Sequence, residues 1–199
     1  MTPFNFSNPR IMSFAAHSGA LRNGDLLQFR SRHWISKLIQ VGTLGVHSHS
    51  ALVRINGSSR IDCLEMVEGI GGRARPLLSR VIEQPGQIDV FRPDVTRWPE
   101  LDLVTAVEWM REFTGREYGA ASLWLLAGMR AFGLRFWLHR YVRTNDDGPP
   151  SKAPFCSEAV CAAYRLAGVD PVPRKPDRFT TPADLTTSML FDYVGTLVP

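Results

Sequence analysis

Of the three cysteines, Cys156 has the setting of a nucleophile. It follows Pro154-Phe155, and Ser157-Glu158 then open a helix whose apolar positions are Ala159, Val160, Ala163, Tyr164 and Ala167. A thiol at a helix N-terminus feels the positive end of the macrodipole and the unpaired amide N–H groups. Both favour the thiolate, and the same N–H groups could hold an oxyanion. The commoner fate of an isolated cysteine is a small buried hydrophobe. That bland reading suits Cys161 in mid-helix and Cys63 in mid-strand.

A cysteine nucleophile needs a base, and the histidines are His17, His33, His47, His49 and His139. A strand is expected over residues 47–55, where the period of two puts His49 on one face with Ala51, Val53 and Ile55. A helix packing on that apolar face could bring a thiol within reach. His47 shares the parity but lies at the strand's entrance. Without a partner, a lone strand histidine is a hydrogen-bonded core residue. On the next expected strand, residues 60–67, Glu65 shares parity with Ile61, Cys63 and Val67. A carboxylate facing the core needs a partner, because an unpaired buried charge costs several kcal/mol. An imidazole on the neighbouring strand would serve, leaving its other nitrogen to take the thiol proton. The alternative is an edge-strand glutamate facing water, with Glu68 nearby for the acidic role.

The elements that must position these residues follow from pattern. Gly24 to Phe29 reads as a turn and a short strand, and residues 33–41 as a helix carrying Trp34, Leu38 and Val41 on one side. Asn56-Gly57 closes a hairpin between the two strands. A glycine-rich loop follows at residues 69–72, then a strand at 88–91. A helix is expected over residues 99–114, with Gly115 as its C-cap. The apolar stretch 118–142 includes Trp124, Phe132, Phe136 and Trp137. Arg130 and Arg135 near its middle would be costly in a bilayer, so it reads as core or helical hairpin rather than a membrane span. A lid or interfacial surface admitting an acyl chain is the sharper alternative. Residues 144–154 read as an exposed loop, 156–167 as a helix ending at Gly168, and 192–197 as a final strand. Separate blocks of hairpins and helices imply an α+β fold.

With 199 residues, 44% of them apolar, the chain can bury a real core and is not disordered. Three cysteines without a Cys-x-x-Cys pair exclude a disulfide scaffold and a structural zinc site of that type. The net charge of +4 is spread along the chain, so no nucleic-acid-binding face is expected. Arg30-Ser31-Arg32 and Arg73-Ala74-Arg75 read as solvated surface. The first 24 residues lack a charged segment followed by an apolar run, which implies a cytoplasmic protein. Envelope access would then need lysis, a secretion machine or a phage particle.

Four segments occur in order: Gly-Asp-Leu-Leu-Gln-Phe at 24–29, Ser-His-Ser-Ala-Leu-Val at 48–53, Leu-Glu-Met at 64–66 and Phe-Cys-Ser-Glu-Ala-Val at 155–160. Together they resemble the circularly permuted papain-like hydrolases of the NlpC/P60 superfamily, the YiiX/YaeF-type amidases. Pro76-Leu77-Leu78, Val90-Phe91-Arg92, residues 115–118 and Thr181-Pro182-Ala183-Asp184-Leu185 are also similar. The resemblance spans residues 24–196. It implies a permuted papain-like α+β fold, with a small antiparallel sheet packed by helices over residues 24–199 and residues 1–23 as an N-terminal extension. Residues 118–142 would be a helical insertion. It implies Cys156 as nucleophile, His49 as base and Glu65 as orienting acid, with Tyr118 beside the site and Ser157 facing substrate. No cofactor or metal is needed for that chemistry. The implied activity is hydrolysis of an amide, such as a cell-wall peptide. A lipid-directed acyl hydrolase or acyltransferase, with peripheral membrane contact through 118–142, is the runner-up, and a peptide- or lipid-binding module without turnover is the rival. Two departures stand out: the usual Ser-His-Val-Gly is Ser-His-Ser-Ala here, and the acidic residue that often follows the tyrosine is Gly119.

Overall fold

The computed structural model describes residues 9–30, 45–57, 60–119, 149–173 and 175–199. The expected helix at 33–41 and nearly all of the stretch 118–142 lie outside these residues. The strands are β1 (Ile11–Ser13), β2 (Leu26–Phe29), β3 (His49–Asn56), β4 (Arg60–Val67), β5 (Gly71–Pro76), β6 (Ile88–Pro93) and β7 (Phe191–Val198). The helices are α1 (Phe14–His17), α2 (Leu77–Glu83), α3 (Leu103–Glu112), α4 (Cys156–Leu166) and α5 (Pro182–Thr186).

The strands form one seven-stranded sheet in the order β1-β7-β6-β2-β3-β4-β5. The α+β class stands, and the sheet, expected to be small and antiparallel, is seven-stranded and mixed. The pair β1–β7 is parallel, and it draws Ile11–Ser13 into the sheet as an edge strand. Strand β5 and helix α2 are also additions to the sequence reading. Gly-Gly-Arg-Ala-Arg-Pro carries little strand propensity of its own, and its pairing with β4 supplies what the local sequence lacks.

The sheet is covered on both sides. On one face Leu26, Leu52, Leu64, Met66 and Phe91 pack with α3 and α4 through Val107, Met110, Val160 and Tyr164. On the other, Leu27, Phe29, Ala51, Val53, Cys63 and Val90 lie beneath Leu77 and Val81 of α2. Two covered faces explain why β2 is buried at every position and why β3 lacks the plain in-out alternation of a one-sided strand. Each fully buried leucine contributes roughly 1.5–3 kcal/mol of transfer free energy.

Helix α3 starts at Leu103 rather than 99, because Asp102 is its N-cap: Oδ1 accepts from the N–H groups of Val104 (2.9 Å) and Thr105 (3.3 Å). Past its C-terminal end, Gly115 takes φ +85°, and its N–H donates to the Gly72 carbonyl at 2.8 Å. The chain then runs along β5 so closely that a Cβ on Gly72 would collide with the Phe113 carbonyl. That contact delivers residue 118 to the end of the sheet where β3 begins.

Candidate active site

His49 is the first residue of β3 and Glu65 lies on β4, where the partner directly opposite is Ala51. Alanine leaves the space over Glu65 open, so the imidazole two residues away reaches it on the diagonal. Nε2 of His49 lies 3.2 Å from Oε2 of Glu65. The carboxylate is ionised, so Nε2 carries the hydrogen of this bond and Nδ1 is left for another partner. The ring of Phe29, His49's cross-strand neighbour on β2, meets the imidazole edge-on with centroids 5.1 Å apart.

Cys156 opens α4, and its thiol lies within hydrogen-bonding reach of His49. The route is not the expected one. The face that His49 shares with Ala51 and Val53 is covered by α2, while α4 packs on the opposite face. Thiol and imidazole meet because each side chain comes from the first residue of its element, at one end of the sheet. The backbone N–H groups of Ser50 and Ser157 lie near enough to the sulfur to favour its anion. The Tyr118 hydroxyl lies beside the same residue, close enough to act on its thiol and backbone N–H. The hydroxyl of Ser157, a substrate-binding candidate, donates to the Thr180 carbonyl at 2.8 Å and is wholly buried. What Ser157 offers the site is its backbone N–H.

The electrostatics follow from this packing. Burial works against a charged imidazole, but the charge and hydrogen bond of the Cys156 thiolate, then those of Glu65, outweigh it and raise His49 to about 9. Burial likewise opposes the thiolate. The neighbouring imidazolium and the two backbone N–H groups prevail and hold Cys156 below its ordinary value. For Glu65, burial is overcome by the hydrogen bond and charge of His49 and by Arg80 and Arg73, which bring it down to about 2. Tyr118 moves far upward, through burial and the adjacent thiolate, and so stays a neutral donor. The set favours an ion pair, thiolate beside imidazolium, with a neutral phenol at hand. Cys63 and Cys161 are wholly buried and pushed upward, by burial first, as suits packed thiols.

His47 belongs elsewhere. Its Nε2 lies 2.8 Å from Asp89 and its Nδ1 2.9 Å from the Thr186 hydroxyl, tying α5 to β6. His17 is near the surface against the Ser13 carbonyl, and His33 and His139 lie outside the described residues. Residues that pattern reading missed include Arg73, Arg80 and Phe29. Arg73 is not solvated surface: it stands opposite Glu65 on β5 and donates to it at 2.9 Å. Recognising β5 as a strand paired in that register would have revealed it.

These features define an α+β protein with the YiiX-type fold. The chain is similar to the crystal structure of the metalloprotein yiiX from Escherichia coli O157:H7, DUF1105, with a TM-score of 0.60 and 15% sequence identity over 89% of this chain and 98% of that one. At that identity the likeness establishes the fold alone. No family model matches the chain, and no curated protein matches it. Among the described residues no helix is long and apolar enough to cross a membrane.

Proposed function

We propose that this protein is a cysteine-dependent hydrolase of amide bonds on a permuted papain-like scaffold of the NlpC/P60 kind. The observation that carries the reading is the chain of contacts from the Cys156 thiol to His49 and on to the buried carboxylate of Glu65. A thiol at a helix start beside a histidine held by a buried acid is the arrangement a nucleophile requires.

In the proposed reaction the Cys156 proton resides on His49, and the thiolate attacks the amide carbonyl carbon. The C–S bond forms as the carbonyl π pair moves to oxygen. The Tyr118 hydroxyl and the N–H groups at the start of α4 are donors suited to that oxyanion. Collapse breaks the C–N bond, and the amine leaves with the proton from His49. Water, deprotonated by His49, then attacks the acyl-enzyme, and the thiolate departs as the carboxylic acid product forms. A cell-wall peptide is the substrate class that the resemblance of the sequence segments to the NlpC/P60 superfamily implies.

The E. coli neighbour is described as a metalloprotein. The described residues around Glu65 do not suit such an ion. Both oxygens of Glu65 are taken by Arg73, Arg80 and His49, and two guanidinium groups beside it repel a cation. Among the described residues, no three His, Cys, Asp or Glu side chains are grouped to hold one.

The test is incubation of the full chain with muropeptides and, separately, with N-acyl lipid vesicles, scoring new primary amines. Amine release from muropeptides, lost in Cys156→Ala and indifferent to vesicles, supports the reading. Release only from vesicles would move the substrate to lipids, and tight binding retained in Cys156→Ala without turnover would make the protein a binding module.

A further inference from the structure

Two arginines bracket Glu65, and the proposed reaction uses neither directly. Arg73 brings Nε and Nη2 each to 2.9 Å of Oε1. Arg80, on α2, brings Nη2 to 3.2 Å of Oε2, the same oxygen that holds His49. The Arg80 guanidinium also lies over the Phe29 ring, 5.0 Å from its centroid, and that ring is the one packed edge-on against the His49 imidazole. One side chain therefore touches both the acid behind the imidazole and the aromatic wall beside it.

This placement is expensive. Arg80 is 9% exposed, and its Nε is buried without a partner among the described residues, a cost of the order of 1–3 kcal/mol. Arg73 alone already neutralises Glu65 through a two-pronged contact, so satisfying the buried carboxylate does not require a second guanidinium. What Arg80 adds is a held geometry and a positive charge. Among the described residues Glu65 on β4 bears on His49 directly, Arg73 from β5 and Arg80 from α2 bear on Glu65, and Arg75 of β5 acts on the Cys63 thiol. Tyr118 adjoins Cys156, Glu68 acts on Tyr118, and the buried Cys63 thiol faces Glu65. Arg75 is spoken for by Glu83, which also accepts from Arg80 Nη1 at 2.9 Å.

We propose that Arg80 is a positioning residue: through Glu65 and Phe29 it fixes the His49 imidazole, and its charge extends the thiolate form of Cys156 toward acid pH. This rests on the reading of Cys156 and His49 as a nucleophile–base pair. Removing one positive charge near the pair disfavours the anion in the step from thiol plus imidazolium to thiolate plus imidazolium. The acid limb of thiol reactivity must then rise.

The experiment is alkylation of Cys156 by limiting iodoacetamide from pH 4 to 10, followed by peptide mass spectrometry, on the full chain and its Arg80→Gln, Arg80→Lys and Glu83→Gln variants. Arg80→Gln is expected to raise the acid limb by about one pH unit, and Arg80→Lys to restore most of that change. Glu83→Gln removes a half-exposed negative charge that offsets Arg80, so it folds without burying a new group and moves the limb the other way. Limbs coincident with wild type in Arg80→Gln and Glu83→Gln, while His49→Ala still slows labelling, would overturn the proposal and leave the Cys–His pair intact. If Arg80→Gln does not fold, the Glu83→Gln limb decides alone: a downward move supports the proposal and an unmoved limb overturns it. Slow labelling of Cys156 in the wild type would instead sink the pair itself.

Discussion

The imidazole of His49 and the carboxylate of Glu65 stand on adjacent strands, 3.2 Å apart across the open space above Ala51. That single contact sets which nitrogen faces the thiol. Glutamine at position 65 keeps the shape but removes the charge and permits the wrong tautomer. Turnover by Glu65→Gln should fall by two or more orders of magnitude, toward the roughly 10⁴-fold loss typical when a triad's acid is neutralised. The alkaline limb of the pH profile, placed near 9 by His49 in the wild type, should move down, since the imidazolium loses an anion. An unchanged limb measured by steady-state kinetics would place Glu65 outside the mechanism.

Tyr118 offers a different separation of effects. Its hydroxyl touches Cys156 but neither His49 nor Glu65 depends on it for a hydrogen bond among the described residues. Tyr118→Phe should reduce kcat by about 10²–10³-fold, the usual loss for one oxyanion donor. Alkylation of Cys156 should remain fast and dependent on His49. Loss of alkylation along with kcat would assign the hydroxyl to thiol activation instead.

Glu65 also links folding to pH. Its folded value of about 2 lies below the ordinary 4.5, so its stabilisation is present above about 4.5 and is lost as pH falls toward 2. The full contribution is of the order of 3 kcal/mol. Urea unfolding of the wild type should show this loss between pH 4.5 and 2, and Glu65→Gln should flatten that part of the curve. Parallel curves for the two proteins would mean that Glu65 is not the group responsible.

The chain carrying Tyr118 is pinned at two glycines. A Cβ at Gly72 would strike the Phe113 carbonyl, and one at Gly119 the Ala153 carbonyl. Both obstacles are backbone and cannot swing aside. Alanine at either position should destabilise by about 1–3 kcal/mol in chemical denaturation and lower turnover more than it slows Cys156 alkylation. The same geometry gives a physical reason for glycine where an acidic residue often follows the tyrosine. Alanine variants with wild-type stability would contradict this close approach.

Much of the site was legible because it rests on short-range pattern. The period of two put His49 and Glu65 on one face, and the apolar spacing after Cys156 placed the thiol at a helix start. The remainder depended on partners distant in sequence. Strand β5 is too rich in glycine and arginine to announce itself, and without it Arg73 could not be set opposite Glu65. Ser157 looked available at a helix N-terminus, but Thr180, twenty-three residues on, takes its hydroxyl. The helix expected to bring the thiol onto the face of His49 packs on the other side of the sheet, because Leu52 and Leu64 give that side an apolar surface of its own.

The measurement that bears most directly on the central claim is competitive alkylation of the three thiols between pH 5 and 9, in wild type and His49→Ala. Cys63 and Cys161, wholly buried and raised by that burial, serve as internal references in the same sample. Fast labelling of Cys156 alone below pH 7, slowed markedly in His49→Ala, is the expected result. Labelling of Cys156 no faster than an ordinary thiol, or equally fast without His49, would contradict it.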